Sequence, residues 1–451
     1  MRRRPTVLLG LALLLGLPAT QAMGAPLCGS PFVPSPTLQP TLANPNFSAS
    51  DSAVDCFMWQ TMVYLNWPAT PGQRGVPNAA ASLGSPGPSV WQTYKDYNEL
   101  YLPNGQQPPA WNDNFLSVQR LQTRGVARAL PSIRLLNSTS KVFRAANANE
   151  SPALREIEQV GGGVLYDQAG SPVYYEMLVN EVNFDFIYNN QLYNPAQQNL
   201  YAKQKGIVLP NNSIEIKAAW KVLSAPDNPQ RFLTAQALLP GSSTPVTVGL
   251  VGLHVFQMPS SAFNQGFWAT FQQLDNAPTV AGATPGAHYS FNNPQCAPAQ
   301  CQPNDKTSNP TQVVQNFPPT PEAQNINQYM QNLIAQQAPG SALQYYQLVD
   351  VQWPTSPQAI GQPGATAPAP SGTPNHDTLI NPVLETFLQT NHTSCLGCHV
   401  YASVAADGSK PATDYQASFS FLLGHAKSPA LGSNLKSLAQ QIEDASLSLQ
   451  H

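Results

Sequence analysis

Two cysteines and a histidine near the C-terminus, Cys395-Leu396-Gly397-Cys398-His399, restrict what this chain can fold around more than any other feature of its sequence. Their spacing is that of c-type haem attachment. Two thiols one turn apart match the two vinyl groups of a porphyrin, and the same turn lets the next side chain, His399, swing under the iron as an axial ligand. One covalent haem c, held by Cys395, Cys398 and His399, is therefore the expected cofactor. Two other uses of the motif compete with it. A dithiol redox centre calls for a βαβ context that the flanking residues lack, and a zinc site calls for a fourth ligand at suitable spacing.

The opposite end of the chain agrees with this chemistry. Arg2, Arg3 and Arg4 precede an apolar run over residues 7–17 and small residues at Ala19, Thr20 and Ala22. That is the pattern of a secretory signal peptide, expected to end at residue 22. Because bacterial c-type haem attachment takes place outside the cytoplasmic membrane, a periplasmic location follows as an expectation. No later stretch reaches the roughly 18 apolar residues of a membrane helix; the nearest, residues 246–256, is interrupted by Gly249, Gly252 and His254. No membrane span is expected once the signal is removed. A formal net charge of −3, with only 10% of residues charged, offers no basic face to nucleic acid or anionic lipid.

In an oxidising compartment the other four of the six cysteines should be paired. Cys296 and Cys301 stand in the Pro- and Asn-rich stretch NPQCAPAQCQPN, which suits a short-loop disulfide. Cys28 and Cys56 then remain as the candidates for a bridge pinning the N-terminal arm to the first helix.

Periodicity divides the rest. Residues 55–68 and 89–102 place aromatic and apolar side chains at helical spacing, each run stopped by a proline, Pro68 and Pro103. A hairpin is expected over 162–177, a helix over 179–194, and strands over 213–223, 231–239, 247–258, 267–274 and 343–353. A long loop fills 276–320, and a helix is expected over 321–336. The short connections imply antiparallel order, so the fold class expected is α+β: a mixed body (23–355) of antiparallel strands and aromatic-rich helices. A Pro-, Gly-, Ala- and Thr-rich linker (356–376) then leads to a small helical haem-binding segment (377–451), with helices over 377–389 and 433–449. There is no internal repeat.

The second axial position separates electron transfer from chemistry at iron. No methionine follows Met330, so the arrangement of small cytochromes c, with a methionine downstream of the motif, is closed to this chain. His425 lies downstream, and His254 lies upstream in the apolar strand VGLVGLHVFQMP. Either is a candidate distal ligand, against the plainer readings of a surface histidine and a hydrogen-bonded core histidine. Met258, Met58 and Met62 are further candidates, whereas His288, His376 and His392 are given no role. No nucleophile elbow, HExxH, phosphate-cradling loop or dinucleotide fingerprint is present, and Glu176, Glu181, Asp185 and Glu215 are too scattered to pair into acid–base roles.

The blocks WQTMVYLNWP, SIEIKAAWKVL, GLVGLHVF, FWATFQQLDNAP and TSCLGCH resemble a large group of exported bacterial proteins labelled cytochrome c family proteins, over most of the mature chain. The resemblance implies a monohaem protein with Cys395, Cys398 and His399 as its haem residues, and it draws attention to His254. The first functional expectation is an electron carrier with a redox partner protein. A haem enzyme of peroxidase or oxygenase type with an open distal site comes second, and a haem-based sensor third.

Overall fold

The structure is a computed structural model that describes residues 28, 32–38, 51–113, 133–136, 159, 162–239, 242, 244–258, 265–297, 299–408 and 413–426. The expected signal peptide (1–22) and the helix expected over 433–449 lie outside these residues. Among the described residues no helix is long and apolar enough to cross a membrane.

An eight-stranded sheet organises the chain. Its strands are β1 (Lys95–Asp96), β2 (Ile133–Leu135), β3 (Tyr174–Val179), β4 (Ile214–Val222), β5 (Thr234–Leu238), β6 (Val246–Gln257), β7 (Phe267–Gln273) and β8 (Tyr346–Gln352). All pairings are antiparallel except β2 with β5. β6 is long enough to serve two partners end to end: residues 246–249 pair with β5, and 252–257 pair with β7. The class is thus α+β, as expected, because β4 to β8 carry the apolar runs that a two-sided sheet requires.

One face of the sheet is covered by α1 (Asp51–Leu65) and α5 (Pro321–Gln337). Here Met58, Trp59, Met62, Trp220, Leu250, Phe271 and Met330 form the main core. A disulfide joins Cys28 to Cys56 and so ties the N-terminal arm to α1, and a second closes the Cys296–Cys301 loop. On the opposite face, residues 276–297, 299–316 and 377–399, with Phe419, lie over the strands as loops and short turns. Gly252 makes this close approach possible, since a Cβ there would meet Val383 at 2.7 Å and Leu384 at 3.2 Å.

Several expected elements take another form. Residues 89–102 do not make one helix: a 3-10 turn (Trp91–Thr93), β1 and the short α2 (Tyr97–Leu100) replace it, because Asp96 is extended and caps Asn98 N. Of the 162–177 hairpin only β3 is a strand, closed by a bridge between Tyr166 and Pro172. The expected helix over 179–194 is α3 (Glu181–Asn189), and a helix not expected, α4 (Pro195–Gln204), follows it. Residues 377–389 contain a single 3-10 turn, Thr386–Leu388; the Asn381 side chain bonds Thr270 and Phe271 of β7 and accepts from Val383 N, which turns the chain instead of coiling it.

The stretch expected as a linker is laced to the body. Thr355 bonds Thr373, Gln265 donates to the Gln358 and Pro370 carbonyls, and Gly206 and Gly361 approach so closely that neither has room for a side chain. Ala402, Val404, Ala417, Leu422 and Leu423 belong to the same buried cluster as Trp220. The described part of the C-terminal segment and the body therefore share one core.

Candidate haem site

The CLGCH residues form a single helical turn, α6 (Cys395–His399), pinned from three directions. Ser394 caps it, its Oγ accepting from Gly397 N at 3.0 Å. The Leu396 amide donates to Oε1 of Gln352 on β8 at 2.7 Å, and the Leu396 side chain is buried beside Phe256, Trp268 and Phe419. Cys395 and Cys398 are thiols, outside both disulfides.

His399 has its tautomer set. Nδ1 lies 2.6 Å from the Phe419 carbonyl, which can only accept, so Nδ1 carries a proton. The ring sits between Phe421 and Trp268, with centroids at 5.0 and 6.0 Å. The carbonyl is aimed by an uncommon backbone: Ser418 and Phe419 both have positive φ, 53° and 61°, and Ser418 Oγ is anchored by Leu209 N. Left-handed non-glycine residues are costly and cluster at functional sites.

Beside the turn opens a cavity with about 1200 Å³ of space free of protein atoms, its mouth included. Met177, Leu178, Phe256, Trp268, Leu388 and Phe421 supply much of its apolar wall. Cys395, Cys398, His399, His254 and His425 all line it as well. Residues far apart in sequence, singled out for different reasons, thus meet in one place. Met258, Met58 and Met62 are not among the lining residues; Met58 and Met62 lie in the main core on the other face.

The two candidate distal histidines differ in their surroundings. His254 stands on β6 in register with Lys217 on β4 and Thr270 on β7, and its Nε2 is 2.8 Å from Glu385 Oε1. Glu385 is itself held, Oε2 accepting from Asn381 N at 3.2 Å. His425 ends a 3-10 helix (Phe421–His425), is 8% exposed, and packs against the Tyr97 ring at 4.8 Å. Its helix is positioned by buried polar side chains of α4: Gln198 donates to Leu423 O and accepts from Ala405 N, while Asn199 donates to Ala405 O. Nearby, Glu215 accepts from Ser420 Oγ and Asn183, and burial pushes its carboxyl above the usual range despite those bonds.

This donor set fits a c-type haem. Two thiols and an imidazole with a committed Nδ1 share one turn at the wall of a largely apolar cavity. It does not fit a zinc site, for among the described residues no group of three or more His, Cys, Asp or Glu is placed to hold a metal ion unaided. A haem iron needs one or two protein ligands only. Sequence reasoning missed Gln352, Glu385, Gln198 and Phe419, and nothing in their local sequence marks them. No family model, no curated protein and no solved structure matches this chain.

Proposed function

We propose that the chain is a monohaem c-type cytochrome, exported to the periplasm, whose task is electron transfer to or from a redox partner protein. The observation that carries this reading is the convergence of the CLGCH turn, with His399 Nδ1 held by the Phe419 carbonyl, on a cavity that also presents His254 and His425. Cys395 and Cys398 would hold the porphyrin as thioethers and His399 its iron; haem so held supplies a one-electron ferric–ferrous couple. The apolar wall excludes water from that centre, and the Phe419 carbonyl keeps the His399 ring oriented through both oxidation states. His425 is favoured as the second ligand, since it is buried in the cavity wall.

The second reading, a haem enzyme, draws its support from the His254–Glu385 pair, a hydrogen-bonded base in the same cavity, suited to holding or moving a proton at a bound ligand. Acid–acetone extraction of denatured protein from a strain competent in cytochrome maturation tests the common premise. Pigment should stay with the polypeptide, and the Cys395→Ser, Cys398→Ser double variant should release it. Colourless wild-type polypeptide after extraction would end both readings.

A further inference from the structure

A second cluster of ionisable groups lies along the edge of the sheet formed by β8, where α1, α5 and β8 meet. Asp55, on the inward face of α1, is fully buried, and among the described residues neither of its carboxyl oxygens has a hydrogen-bond partner. Three more carboxyls act on it: Asp51 one turn earlier on α1, Asp350 on β8 and Glu322 in the first turn of α5. The basic group that reaches the cluster is His376, whose Nε2 lies 3.6 Å from Asp350 and 3.8 Å from Asp51. Thr320 also bonds Asp350, and so does Val351 N at 2.8 Å. A carboxylate sealed from water with no partner and three like charges around it is held far more cheaply as the neutral acid.

We propose that Asp55 is a neutral carboxylic acid in the folded protein and that the Asp51–Asp55–Asp350–Glu322–His376 cluster is a pH-sensitive latch, closed in acid and loosened in alkali. What it latches is set by β8. Gln352, two residues beyond Asp350 on the same strand face, donates from Nε2 to the His376 carbonyl at 2.6 Å and accepts from Leu396 N in the haem-attachment turn. One buried side chain therefore connects the segment that His376 anchors to the turn that bears Cys395 and Cys398. Burial, with Asp350 the next cause, pushes the Asp55 carboxyl from 3.8 up to about 9. Between those values the folded chain keeps a proton that the unfolded chain has released, so stability falls as pH rises across that window and levels off above it.

The inference stands apart from the haem reading and is tested on the purified full chain whatever it binds. Melting temperatures of wild type and Asp55→Asn are compared from about pH 4 to about pH 9. The variant should gain on the wild type steadily as pH rises, and the wild-type infrared spectrum near neutral pH should contain a protonated-carboxyl band that Asp55→Asn lacks. Asp350→Asn, which removes the nearest repulsion, should flatten the wild-type slope without touching Asp55. A constant interval between wild type and Asp55→Asn at every pH, or a carboxyl band unchanged in the variant, overturns the proposal.

Discussion

His399, His254 and His425 share an imidazole and line one cavity, and they differ in what each ring is bonded to or packed against. Nδ1 of His399 is spent on Phe419, Nε2 of His254 on Glu385, and the His425 ring packs at a tilt against Tyr97. On the proposed assignment His425→Ala converts the ferric protein from low-spin to high-spin and opens it to carbon monoxide in the ferrous form, while His254→Ala stays low-spin. Optical and EPR spectra with and without carbon monoxide check this; a low-spin spectrum that survives in His425→Ala and is lost in His254→Ala reverses the roles. That Cys395, Cys398 and His399 share one turn was legible because they are neighbours in the sequence; on the proposed reading thioether chemistry dictates that spacing. The carbonyl that orients His399 was not, since every residue has one, and only the left-handed turn at Ser418 and Phe419 delivers this one.

Among elements, the central strands were the easiest to read. β4 and β6 to β8 are buried on both faces, so their apolar runs are long and bounded, and their positions agree with the sequence to within about three residues. The same logic misled at residues 377–389. Leu379, Ile380, Val383, Leu384 and Leu388 are spaced as on a helix and are all buried, yet what they bury against is the sheet and its covering loops, in a chain turned by Asn381. α4 escaped notice for the converse reason: its buried residues include Gln198 and Asn199, used as hydrogen-bonding struts, so it shows no apolar stripe. The seat of the 377–389 cover is Gly252, and Gly252→Ala should cost about 1–3 kcal/mol in urea unfolding, because fully buried Val383 and Leu384 have nowhere to retreat. Amide exchange should quicken over residues 381–388 in the same variant. Unchanged exchange there would show that the cover does not depend on this contact.

At the scale of the whole molecule, composition pointed to a low-charge, disulfide-bearing chain, but it could not show that the Pro-rich stretch at 356–376 is laced down instead of swinging free. That depends on partners such as Gln265 and Gly206, 95 to 150 or so residues earlier, which no local pattern records. The Cys28–Cys56 bridge closes a loop of 28 residues, and by loop-entropy reasoning Cys28→Ser with Cys56→Ser should lower unfolding stability by about 3–4 kcal/mol. Denaturant titration under non-reducing conditions measures it; a loss below about 1 kcal/mol would mean that the arm is fixed by packing instead.

The wall of the cavity is drawn from residues as early as Met177 and as late as His425. Read in the order of manufacture, the ribosome delivers the floor long before the roof. A chain halted before residue 377 would already hold every strand of the sheet, with Phe256 and Trp268 bare to any passing neighbour. Copies truncated there are accordingly expected to clump, and the later residues that cover this face, 377–399 with Phe419, act as a chaperone built into the sequence.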